Sequence, residues 1–101
     1  MIDYKIEIVE DVKSYPVMLF SDPQYSLMAE FLLAERSFLK KIKRFVKSND
    51  EQFSGNAFTL YQTSDNIEIE SDFNDSKLQM DRQEFYSLLC AYYEAYKKAK
   101  K

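Results

Sequence analysis

The chain of 101 residues contains no histidine and no tryptophan, one cysteine, one glycine and two prolines. Each shortage excludes something. Without histidine, the commonest general base and transition-metal ligand is missing, and Cys90 alone makes neither a thiol-protease pair nor a zinc site. A single cysteine also rules out an internal disulfide framework and serves best as a small apolar residue in a helix. Gly55 has no GxxxxGK or GxGxxG company, so it is expected in a turn and not in a phosphate loop. Serines are present, but none stands in a nucleophile-elbow context. No cofactor or metal site is expected. No apolar run approaches the about 20 residues that a membrane span needs, so no membrane partner is expected. The opening MIDYKIEIVED lacks a basic segment followed by an apolar one; no signal peptide is expected, and the cytosol is the expected location.

What the chain does have is apolar bulk. At 101 residues and 46% apolar content it suits one domain, residues 1–101, with a single modest core. Eight phenylalanines fit that core, and eight tyrosines suit half-buried positions with a wet hydroxyl. The net charge of −3 argues against a general nucleic-acid binder, which is normally basic, so no direct nucleic-acid contact is expected.

The segment FTLYQTSDNIEIESDF, Phe58 to Phe73, organises the remainder. Both arms alternate apolar and polar residues, the period of half-buried strands, around a turn at Thr63-Ser64-Asp65-Asn66. This spacing sets Leu60 opposite Ile69 and Gln62 opposite Ile67. Phe58, Leu60, Ile67 and Ile69 form the core face, while Thr59, Tyr61, Glu68, Glu70 and Asp72 face outward. A lone hairpin is marginal in water, so helices must cover its apolar side.

Upstream, Ile2 to Glu10 alternates as a strand, with Ile2, Tyr4, Ile6 and Ile8 on one side, and Val17 to Phe20 pairs back on it. Asp22-Pro23 starts a helix: Asp22 accepts from free N–H groups and Pro23 needs no partner at the first position. The apolar spacing carries this helix to about Lys47, with Lys40, Lys41, Lys43, Arg44 and Lys47 near its C-terminus, where positive charge suits the dipole. A phosphate-contacting role for those bases is the weaker reading, because no aromatic platform or Gly-rich loop accompanies them. Ser48 to Gly55 reads as a polar connection. After the hairpin, Asn74-Asp75-Ser76 turns into a short strand, Lys77 to Met80. Asp81-Arg82-Gln83-Glu84 then caps a last helix reaching about Ala99. Phe85, Leu88, Leu89, Tyr92, Tyr96 and Ala99 form its core stripe, with Tyr86 and Tyr93 on an adjacent face. The expected fold is α+β, a small antiparallel sheet (hairpin plus meander) packed against two amphipathic helices in the order β-β-α-β-β-β-α.

Function is sought in charge. Between Ser48 and Ser76 the chain carries Asp50, Glu51, Asp65, Glu68, Glu70, Asp72 and Asp75, and no lysine or arginine. Such a face resists edge pairing; it also suits a basic partner, with Tyr61 as an aromatic anchor. The candidate partner-binding residues are Tyr61, Asp65, Glu68, Glu70, Asp72, Tyr86 and Tyr93. Two other classes stay open: an adaptor or regulatory protein for another basic partner, and a small metal-dependent enzyme using Glu68 and Glu70.

From FTLYQTSDNIEIESDF through MDRQEFYSLLCAYYEAYKK, the chain resembles small bacterial immunity proteins of contact-dependent growth inhibition and other polymorphic-toxin systems. The same stretch is similar to YacL-type proteins, which share a YTL–turn–acidic or polar strand hairpin followed by a helix of the form xxFxxLLxAYxxF. The resemblance covers Asn56 to Lys98; the N-terminal half departs from it in length and in its basic helix. It implies a non-catalytic protein that binds and neutralises a cognate toxin domain, often a nuclease, in the cytosol. The basic substrate surface of a nuclease is a place where an acidic face fits.

Overall fold

The computed structural model describes residues 2–99. Its α+β chain runs β1 (Tyr4–Val9), β2 (Tyr15–Phe20), α1 (Ser26–Ala34), α2 (Leu39–Lys47), β3 (Gln52–Ser54), β4 (Phe58–Gln62), β5 (Asn66–Ser71), β6 (Lys77–Asp81) and α3 (Arg82–Ala99). The expected β-β-α-β-β-β-α order of the larger elements holds. Within it, the sheet is two sheets, the first helix is two helices, and β3 is an added strand.

The central hairpin forms in the expected register, Leu60 opposite Ile69 and Gln62 opposite Ile67. Its turn closes locally, with the Thr63 N–H donating to the Asn66 carbonyl at 2.9 Å and the Asn66 N–H to Thr63 Oγ1 at 3.2 Å. β6 joins β5 on one side and β3 joins β4 on the other, giving the antiparallel meander β3-β4-β5-β6. One face of this sheet stacks Phe53, Leu60, Ile69 and Leu78 across the strands, with Ile67 and Met80 beside them. It packs into a core with Phe31, Leu32, Ile42, Phe85 and Leu89 from the helices. The polar Gln62 also points inward, and its Nε2 donates to the carbonyls of Phe45 at 2.8 Å and Asp50 at 2.7 Å.

β3 lies inside the stretch Ser48 to Gly55 that reads as a connection. Three residues with one apolar side chain are too short to show a period, and only the neighbouring β4 makes them a strand. The β1–β2 hairpin stands as a separate two-stranded sheet packed on α1 and α3. Its alternation therefore buries less than expected: Tyr4 and Ile8 are 40% and 44% exposed, because no layer covers that face fully. β2 begins at Tyr15, earlier than expected, and its Pro16 is buried opposite Ile8 on an edge where the missing N–H costs no ladder bond.

The helix expected from Pro23 to Lys47 opens at Pro23 as a 3₁₀ turn, Pro23–Tyr25, with Asp22 Oδ1 accepting from the Gln24 N–H at 3.0 Å, and becomes α-helical only from Ser26. It breaks at Glu35, where the backbone leaves helical geometry and a 3₁₀ turn, Arg36–Phe38, leads into α2. The cause is visible in the pattern. Continuing the apolar spacing from Phe31 and Leu32 lands on Glu35 and Arg36, two charged residues at core positions. Glu35 is fully buried there. Its carboxylate accepts the N–H groups of Asn56, Ala57 and Phe58 at 2.7, 2.8 and 3.1 Å, tying the helix break to the β3–β4 turn. Gly55 sits against it: a Cβ there would lie 2.6 Å from the carboxylate carbon and 2.8 Å from Oε2. Its φ is negative, so this glycine answers a close approach and not a special turn conformation.

α3 opens as expected, with Asp81 Oδ2 accepting from the Glu84 N–H at 3.0 Å. Its stripe Phe85, Leu88, Leu89 and Tyr92 is buried, and Tyr96 and Ala99 are half-buried. Among the described residues, no helix is long and apolar enough to cross a membrane.

Candidate functional surfaces

The outward face of the meander is built by the registers. One row across the strands reads Ser54, Thr59, Glu70 and Lys77; the next reads Gln52, Tyr61, Glu68 and Gln79. Glu68 and Glu70 are half-buried and Tyr61 is 38% exposed. Thr59, expected to be exposed, is buried, because strands flank it on both sides and its Oγ1 donates to Asp72 Oδ1 at 2.7 Å. Asp72 is further tied by its own N–H, which donates to the Ala57 carbonyl.

The Tyr61 hydroxyl titrates above its ordinary range. Partial desolvation is the first cause; the nearby Glu70 carboxylate comes next, followed by Asp72 and Glu68. Tyr61 is therefore a neutral donor beside two carboxylates at any ordinary pH. The face is not wholly free of bases. The β5–β6 register brings Lys77 beside Glu70, with Nζ 3.4 Å from Oε2. A base just outside the acidic segment in sequence thus enters the face in space. Tyr61, Glu68, Gln79 and Asn66 border a shallow depression of about 260 Å³.

The remaining candidates lie elsewhere. Asp65 is at the hairpin tip; its carbonyl accepts the Arg82 N–H at 2.9 Å, and its side chain lines a recess with Asp81, Lys47 and Tyr86. Tyr86 and Tyr93 line a groove between α2 and α3 together with Lys40, Lys43, Arg44 and Lys47. Lys47 Nζ stands 5.4 Å from the Tyr86 ring centre, and Lys43 and Lys97 Nζ each stand 4.8 Å from that of Tyr93. The seven candidates thus divide: Tyr61, Glu68, Glu70 and Asp72 on an acidic sheet surface, Tyr86 and Tyr93 in a basic groove, and Asp65 at the hairpin tip.

A further concavity, about 910 Å³, was not anticipated from the sequence. It opens between the β1–β2 loop, the helix break and the end of α3, and is lined by Tyr15, Arg36, Ser37, Asn56 and Tyr96. Arg36 lies over the Tyr15 ring, 4.9 Å from its centre. The sequence signal for it was the pair of charges at Glu35 and Arg36 interrupting the apolar spacing.

Among the described residues, no three His, Cys, Asp or Glu side chains are grouped so as to hold a metal ion, and Glu68 and Glu70 have no third ligand beside them. Comparison of the chain with protein-family models, with curated proteins and with solved structures returns no match.

Proposed function

We propose that this chain is a non-catalytic binding protein of the immunity type, which covers a basic surface of a cognate toxin domain, such as a nuclease, in the cytosol of the producing cell. The observation that supports this reading is the outward face of β4 and β5. Two half-buried carboxylates, Glu68 and Glu70, flank Tyr61 on a paired meander whose other side packs against the core. Rigid strands hold these groups at fixed spacing, so little side-chain freedom is lost on docking. Acidic groups steer a basic partner inward, and Tyr61 beside them offers an apolar ring. The resemblance of Asn56 to Lys98 to polymorphic-toxin immunity proteins points the same way.

The test is charge reversal. Glu68→Lys with Glu70→Lys should leave thermal unfolding nearly unchanged, since exposed and half-exposed ion pairs contribute about 0–1 kcal/mol each. The variant should lose co-purification with the toxin domain encoded beside its gene, and should lose protection of cells expressing that toxin. Removing a desolvated carboxylate that faces an arginine or lysine costs such a complex about 2–5 kcal/mol, much of it from the base left unpaired. A folded double variant that protects fully, or the lack of any toxin gene beside this one, would exclude the proposal.

A further inference from the structure

Among the described residues, the groove between α2 and α3 collects positive charge that no carboxylate meets within ion-pair distance, although Asp65 and Asp81 share the neighbouring recess with Lys47. Five of the nine residues of α2 are cationic, and none is acidic. Lys40, Lys43, Arg44 and Lys47 recur at helical spacing, forming one stripe along the groove. Among the described residues the ion pairs are Lys5 with Glu7, Lys77 with Glu70, and Lys97 with Glu94, so no cation of α2 meets a carboxylate. Position near the helix C-terminus accounts for Arg44 and Lys47, but its effect fades within a turn and does not reach Lys40. Such a stripe in a chain of net charge −3 is an unbalanced patch, and it lies over a floor of two tyrosine rings.

We propose that this groove is a second docking surface and that it takes an acidic amphipathic helix of a protein partner. The stripe from Lys40 to Lys47 spans about 10 Å at 1.5 Å per residue, the length over which a facing helix presents carboxylates at i, i+4 and i+7. Tyr86 and Tyr93, seven residues apart on α3, provide the apolar contact between those charges. A nucleic-acid strand fits less well for two reasons. Base stacking needs open ring faces, and here ammonium groups of Lys43, Lys47 and Lys97 already stand over both rings. The acidic remainder of the molecule also repels a polyanion at long range, whereas a short helix bears only a few charges. The groove is independent of the sheet face, so either surface can fail without the other.

The probes are a fluorescein-labelled peptide of about 14 residues with glutamates and leucines on one helical face, its glutamine counterpart, and a labelled oligouridylate of similar length. Each is titrated into the full chain while amide chemical shifts are followed. The glutamate peptide should bind, moving resonances of Lys40 to Lys47, Tyr86 and Tyr93, and should weaken about tenfold between about 50 and 200 mM salt. Lys40→Glu with Arg44→Glu, both exposed and outside the core, should abolish binding with an unchanged circular-dichroism melt; Glu68→Lys with Glu70→Lys should leave it intact. Failure of the glutamate peptide to bind, equal binding of the glutamine peptide, tighter binding of the oligouridylate, or shifts mapping away from the groove would each overturn the proposal. If the α2 variant does not fold, the shift map on the parent chain decides alone.

Discussion

Glu35 carries a charge into the core, which is tolerated only when hydrogen bonds replace the lost water. Three backbone N–H groups of the β3–β4 turn do so, and Gly55 makes room for them. A coupled prediction follows from this geometry. Glu35→Gln should lose about 1.5–3 kcal/mol, because its amide nitrogen would face N–H donors. Gly55→Ala should cost about 1–3 kcal/mol through overlap with the carboxylate. With Glu35→Ala already present, the same Gly55→Ala change should be neutral or stabilising by about 0.4–1 kcal/mol, since a residue of negative φ gains from a less flexible unfolded chain. Urea melts of the four-member cycle measure the coupling. An equal cost of Gly55→Ala in both backgrounds would mean that the two residues do not meet.

At the scale of elements, α2 ends without a left-handed cap, Asn49 after it keeping a negative φ, yet its carbonyls do not go unpaired. Arg82, the first residue of α3, donates from Nε and Nη2 to Val46 O, from Nη2 to Ser48 O at 3.0 Å and from Nη1 to Thr63 O at 2.9 Å. Gln62 adds the bond to Phe45 O. One guanidinium thus clamps the end of α2, the hairpin tip and the start of α3. Lysine has the charge but not the planar fork, so Arg82→Lys should lose about 1.5–3 kcal/mol. Hydrogen exchange should speed first at the amides of the Ser48–Glu51 segment. An unaltered exchange pattern would show the clamp to be incidental. The sequence signalled Arg82 only as part of a capping box; its three carbonyl partners lie 19 to 36 residues away.

Across the whole molecule, the β1–β2 sheet has no ladder with the meander, and a buried hydroxyl helps to hold it. Tyr92 Oη donates to the Pro16 carbonyl at 2.8 Å, joining residues 76 apart. Burial pushes the Tyr92 hydroxyl up to about 12, against the opposing pull of the Arg36 guanidinium. Because the folded value lies above the unfolded one, folding favours the protonated form. Its contribution is complete below pH 10.0 and is lost as pH rises towards about 12. Tyr92→Phe should therefore be less stable than the parent by about 1–2 kcal/mol at neutral pH, and the gap should narrow as pH rises through that window. Thermal melts of both proteins across the alkaline range check this. A gap that stays constant would mean that the hydroxyl does not ionise differently in the two states.

The sequence alone determined those features whose causes lie within a few residues. The β4–β5 register follows from matched alternation around a four-residue turn; the Asp22 and Asp81 caps follow from acceptors next to helix starts; the α3 core stripe follows from its period. The acidic character of the outward strand face was legible for the same reason. Only the tertiary structure decided what depends on partners distant in sequence. Glu35 interrupts the first helix because the β3–β4 turn supplies its hydrogen bonds, and Lys77 enters the acidic face because β6 pairs with β5. Tyr86 and Tyr93 belong to a basic groove because α2 packs beside α3. Local periodicity specifies which side of an element is buried, but not what it packs against. That choice is made when the whole core assembles, and it is what divided the candidate residues between an acidic sheet face and a basic groove.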